Sequence, residues 1–210
     1  MTMQSNRPSS RHSWHSVQLF DDPESTADAV AAFVQEGVSK RDHVLVVMRP
    51  ELWNRAAAKI DRGSVSIQDA IASGQLAVLD SRQTLQQLMR DGHPDSGLFD
   101  DVIGATVRAA TSLHGSVRVY GDMVDILASE GEFIAAGRLE ELWNQLGERQ
   151  SFMLFCGYLA TAFADASAGK ALRHICDLHD DVHAASGDTL SSYLLSRGQS
   201  GLFVADSSST

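Results

Sequence analysis

A chain of 210 residues, 43% of them hydrophobic and 21% charged, carries enough apolar material for one domain with a real core. Its formal net charge of −10 disfavours phosphate backbones and anionic membrane surfaces, so neither nucleic acid nor membrane is an expected partner. No apolar run reaches the roughly 18–20 residues of a membrane span. The polar opening MTMQSNRPSSRHSWHS is no secretory signal, and a cytoplasmic location with Cys156 and Cys176 as reduced thiols is expected.

Residues 1–13 read as a disordered leader, residues 14–184 as the folded domain, and the Ser-rich residues 185–210 as a flexible tail. The tail's apolar islands, Tyr193–Leu195 and Leu202–Val204, offer a segment for docking a partner. The partly alternating run His15–Phe20 predicts a first strand. Asp22 and Pro23 then open a helix to about Glu36, with Val30, Phe33 and Val34 at helical spacing and Gly37 as its stop. The β-branched run His43–Met48 predicts a buried parallel strand, and Pro50 starts a helix to about Ile60. Leu76–Leu79 predicts a third strand, with Ser81 capping the next helix. A long helix is expected over Leu98–Leu113, a strand over Val117–Tyr120, and a helical stretch over Met123–Ala128. The helix Glu132–Leu146 places Leu139, Leu142, Trp143 and Leu146 on one face. Phe152–Cys156 is the fifth predicted strand, and a last helix runs from about Ala168 to His183. Strands alternating with helices predict an α/β fold, a three-layer α/β/α sandwich on a mainly parallel sheet.

Ligands of such sheets bind beyond the carboxyl ends of the strands. That rule selects Phe20, Asp21 and Asp22 after the first strand, Arg49 after the second and Asp80 after the third. It adds Tyr120, Gly121 and Asp122 after the fourth, then Cys156, Gly157 and Tyr158 after the fifth. Together they line one edge with an Arg, several carboxylates, two phenols and a thiol, a mixture suited to a small ligand. The bland alternative is that Asp and Gly at strand ends only cap and turn the chain.

Phosphate-binding motifs are missing. The single Gly-Lys pair, Gly169–Lys170, is followed by Ala171, lacks the earlier Gly and lies after the last predicted strand. No G-x-S-x-G elbow is present; Cys156 at a strand end could serve as a nucleophile with His15 or a later histidine as base, but nothing in the sequence establishes that they meet, so no catalytic residue is expected. His179 and His183 would share a helix face at i and i+4, but a solvated helix end explains them better, and no metal site or cofactor is expected.

The ordered motifs resemble the MEDS family, the methanogen/methylotroph sensory domains. The resemblance rests on the opening from His15 to Asp21, on Phe33–Gly37, and on the strand from His43. It continues through Gly74–Asp80, Leu88–Gly92, Val117–Val124, Arg138–Asn144, Phe155–Tyr158 and His174–His179, about residues 14–183. The family implies a RecA/KaiC-like core without the phosphate loop and a sensory module for small organic compounds. Its functional positions fall here on His15, Phe20, Asp21, Tyr120, Gly121, Asp122, Glu140, Trp143, Asn144, Cys156, Tyr158 and His179. Asp122 stands where the family usually has Glu, and Gly157 where it commonly has Ala, which is expected to loosen that strand end. The expectation is a non-catalytic module that binds a small organic ligand or a signalling partner, such as a histidine kinase or regulator, and that can form a homodimer. The alternatives are a regulator that acts by protein contact alone and an atypical nucleotide binder.

Overall fold

Every residue of His43–Met48 is buried, as expected of a strand covered on both faces. In the computed structural model, which describes residues 13–60, 65–165 and 168–183, this strand lies inside a six-stranded sheet. The expectations for the leader and the tail fall on residues outside that set, apart from Ser13, whose hydroxyl donates to the Phe152 carbonyl at 2.9 Å. The chain runs through β1 (Trp14–Phe20), α1 (Pro23–Ser39), β2 (His43–Met48), α2 (Pro50–Ile60), α3 (Ile67–Ala72), β3 (Leu76–Asp80) and α4 (Ser81–Leu88). A small antiparallel hairpin, β4 (Met89–Arg90) and β5 (His93–Pro94), leads to α5 (Ser96–Phe99). A π-helical turn at Asp100–Gly104 then leads to α6 (Ala105–His114) and β6 (Val117–Gly121). The rest comprises α7 (Met123–Ser129), α8 (Phe133–Arg149), β7 (Met153–Leu159), a 3₁₀ turn at Ala160–Phe163, α9 (Gly169–Asp177) and β8 (Asp181–His183).

The sheet order is β3-β2-β6-β7-β1-β8, with every pairing parallel. Alternation along the strands divides the interior into two cores. Val44, Val46, Met48 and Tyr120 point to one face and pack with Val30 and Val34 of α1, Leu52 and Ala56 of α2, and Ile67 of α3. Leu45, Val47, Val119, Leu154, Cys156 and Tyr158 point to the other, against Leu139, Leu142, Trp143 and Leu146 of α8. This is the expected three-layer α/β/α sandwich. Each fully buried Val or Leu contributes about 1.5–3 kcal/mol to it. No helix among the described residues is long and apolar enough to cross a membrane.

Four local expectations need correction. Gly37 does not stop α1, which continues to Ser39. A Cβ there would lie 2.6 Å from Val44 Cγ2 and 3.0 Å from Arg118 Cδ, so glycine is what lets α1 approach the sheet. Ser81 is not the cap of α4. Asp80 is, its Oδ1 accepting from the Arg82 and Gln83 amides at 2.8 and 3.3 Å. The fifth strand does not end at Cys156 but runs to Leu159. The last helix does not reach His183. It ends at Asp177, and residues 181–183 form β8 on the free edge of β1.

Candidate functional site

The pleat of the sheet separates the expected site residues into two clusters. Tyr120 on β6 faces the α1–α2 core, beside Phe155 at a ring separation of 5.4 Å. Cys156 and Tyr158 on β7 face the α8 core. They cannot share one pocket with Tyr120 because the sheet itself lies between them.

The first cluster sits at the carboxyl edge, where the chain leaves β2 toward β3 and β6 toward β7, in opposite directions. Such a reversal opens a crevice in parallel sheets. Here an ion-pair triad fills it. Arg49 Nε donates to Asp122 Oδ2 at 2.9 Å, and Arg49 Nη2 donates to Asp125 Oδ2. Asp125 Oδ1 accepts the Leu159 amide at 2.7 Å. Burial pushes both carboxyls above their ordinary values, an effect that Arg49 partly offsets. Burial also drives the Tyr120 phenol well up, and its Oη has no hydrogen-bond partner among the described residues. Gly121, buried in β6, pairs with Val47 and Cys156. Phe20, buried at the end of β1, packs edge-on against Phe155 at 6.3 Å. Asp21 is exposed on the loop before α1, and Asp22 serves as the cap of α1. Asp80 is occupied as the cap of α4.

Asp125, which the strand-end rule does not select, completes this triad. Its signal is an acid inside the apolar run Met123–Leu127, one helical turn after Asp122, and it is fully buried.

The second cluster lies beneath α8 and gathers His15, Glu140, Asn144, Cys156, Tyr158 and His179. Glu140 and Asn144 stand one turn apart on α8, so both point at the strands. Glu140 is the hub. Tyr158 Oη donates to its Oε1 at 2.7 Å and Cys156 Sγ to its Oε2 at 3.3 Å. His15 Nε2 lies 3.3 Å from Oε2 and His179 Nε2 lies 3.5 Å from Oε1. Burial would raise the Glu140 carboxyl, but His179 and His15 outweigh it and hold the group well below the carboxylate range. Burial and the Glu140 charge drive the Cys156 thiol and the Tyr158 phenol well up. Burial lowers His179, yet Glu140 reverses the sign and leaves it raised.

The segment between α9 and β8, tied to β1 through Asp180, brings His179 to this cluster. The Asp180 amide donates to the His15 carbonyl at 2.8 Å, and the His15 amide donates back to Asp180 Oδ2 at 2.9 Å. The helical pair of His179 and His183 therefore does not exist. His183 lies exposed in β8 beside Asp181, and the His179 side chain is fully buried, not at a solvated helix end. A surface depression of about 510 Å³ reaches the cluster from outside, with His15, Asn144, Trp143, Leu178 and Asp180 in its wall. Trp143 is buried and packs edge-on against Phe99 at 5.1 Å. Gly157 has a steric role: a Cβ there would fall 2.3 Å from Tyr120 Oη, so glycine makes room for that ring.

No curated relative matches the chain. The family pattern of MEDS, the methanogen/methylotroph, DcmR sensory domain, matches residues 14–180 and so begins one residue before His15 and ends one after His179. With that span, which holds both clusters and well over half the sequence, the chain belongs to the MEDS family of sensory domains.

Proposed function

We propose that this MEDS domain is a non-catalytic sensor that takes a small organic ligand into the depression between β1, α8 and the segment after α9. One observation carries the reading: the depression meets the buried polar hub at His15 and Asn144. Trp143 and Leu178 offer apolar surface there, while Asn144 and Asp180 offer polar contacts, the mixture that orients small ligands. Occupancy would bear on the two bonds between Asp180 and His15 and on β8 just after them, an edge strand of three residues and therefore the easiest to move. A ligand that prefers one arrangement of that edge changes what a signalling partner meets. Nucleotide binding is disfavoured, because no phosphate loop follows β1 and the edge crevice holds the Arg49 triad.

The test is thermal unfolding of the protein against short alcohols, aldehydes, halocarbons, carboxylates and nucleotides. A ligand at a hundred times its Kd adds about 2.7 kcal/mol. At roughly 2–4 °C per kcal/mol for this size, Tm rises by about 5–11 °C. The Leu178→Trp variant, which fills the depression, should fold and lose the shift. A flat panel on cooperatively unfolding protein, or a shift that Leu178→Trp leaves intact, would overturn the reading.

A further inference from the structure

The hub has a feature that ligand entry does not use. His15 Nδ1 lies 2.8 Å from Asn144 Oδ1, and Asn144 Nδ2 donates to the Leu178 carbonyl at 2.9 Å. That second bond fixes the amide orientation, so Asn144 Oδ1 is an acceptor and His15 Nδ1 carries the proton. His179 Nδ1 lies 2.6 Å from the Ile175 carbonyl and is likewise the protonated nitrogen. Both imidazoles therefore present Nε2 to the same interior point, with rings 4.0 Å apart. In the neutral rings each Nε2 is a lone pair aimed at a carboxylate. His179 Nε2 is fully buried and has no hydrogen-bond partner among the described residues. Lone pairs facing a carboxylate in a dry interior repel, and a cation between them removes the repulsion.

We infer that His15, Glu140, Cys156 and His179 form a binding site for one divalent transition-metal ion of the zinc type. Their ligand atoms all lie within 4.8 Å of one another, with His15 Nε2, Cys156 Sγ and Glu140 Oε2 mutually 3.3 Å apart. Zinc–nitrogen, zinc–oxygen and zinc–sulfur bonds in a tetrahedron place neighbouring ligand atoms roughly 3.3–3.6 Å apart. Imidazole and thiolate donors select zinc-like ions over calcium or magnesium, which take oxygen shells. The charges balance: the thiol proton leaves to solvent as the sulfur–metal bond forms, and one thiolate and one carboxylate neutralise the dication. The outer contacts are those that orient metal ligands, an amide oxygen on one histidine, a carbonyl on the other, and the Tyr158 hydroxyl on Glu140. The metal site stands whether or not the depression takes an organic ligand.

Cobalt(II) is the probe. The full chain is stripped with chelator and titrated with Co²⁺. One equivalent should develop a thiolate-to-cobalt charge-transfer band and the strong visible bands of four-coordinate cobalt, and one equivalent of Zn²⁺ should erase both. Cys176→Ser and His183→Ala should leave the spectrum unchanged. Cys156→Ser should lose the charge-transfer band, and Asn144→Ala should weaken binding about 10- to 100-fold. Where Cys156→Ser fails to fold, X-ray absorption of the zinc-loaded wild type decides, with one sulfur and three nitrogen or oxygen neighbours expected. Folded protein that takes up no stoichiometric Co²⁺ or Zn²⁺ overturns the site, and protonated Nε2 on both histidines by ¹⁵N NMR would then identify protons as the balancing charge. A charge-transfer band that survives Cys156→Ser overturns it equally.

Discussion

Replacing Arg49 by Met should destabilise the domain severely, through the carboxylates it leaves behind. The guanidinium side chain is 11% exposed, and those of Asp122 and Asp125 are each 1% exposed. Removing one partner from a buried ion pair costs about 3–5 kcal/mol, because the remaining charge has neither water nor counter-ion. For a chain of this size that corresponds to a Tm loss of roughly 6–20 °C. The loss should depend on pH with a definite sign. Burial already raises both carboxyls, and without Arg49 they rise further above their unfolded value of about 3.9. A group raised on folding stabilises fully below its unfolded pKa and loses that contribution as pH rises through the folded one. Arg49→Met should therefore lie closest to wild type near pH 4 and farthest near pH 8. Adding Asp122→Asn and Asp125→Asn removes the orphaned charges, keeps an acceptor for the Leu159 amide, and should restore most of the stability. Urea unfolding of the single and triple variants at both pH values makes the measurement. A single variant within about 1 kcal/mol of wild type at pH 8, or a triple variant no better than the single, would refute the argument.

Gly157→Ala sets a Cβ 2.3 Å from the buried Tyr120 Oη and should cost about 1–3 kcal/mol as overpacking. Tyr120→Phe removes that oxygen, which has no hydrogen-bond partner among the described residues, so the double variant should recover stability, and additive losses in a double-mutant cycle would contradict the clash. His43 is lowered by burial, with its neighbour His114 adding to the effect and the Gly74 carbonyl opposing it. The unfolded chain then protonates first, so this histidine's contribution to stability is complete above about pH 6.5 and is lost as pH falls toward the folded value. An NMR titration of the His43 ring with a midpoint at or above 6.5 would be the wrong sign. Asp180→Ala should raise hydrogen exchange at the His15 amide and across β8 while leaving β2 and β6 protected, since it removes the acceptor that ties the edge to β1. Uniform exchange across the sheet would instead indicate global destabilisation.

The layers of this fold were legible because they rest on local signals. His43–Met48 announces a doubly covered strand by composition, and the absence of a phosphate loop is a plain reading of the glycines. The MEDS motifs named Glu140, Asn144, Cys156 and His179 without showing what brings them together. Only the tertiary structure decided that. Whether Tyr120 and Tyr158 meet depends on strand register and pleat, which place them on opposite faces of the sheet. Whether Arg49 faces Asp122 depends on β2 lying beside β6, a pairing of segments about 70 residues apart. Strand β8 is the clearest case. Three residues, Asp181 to His183, carry no period that separates a strand from the end of a helix. The hydrogen bonds that make them a strand come from the free edge of β1, at the other end of the chain.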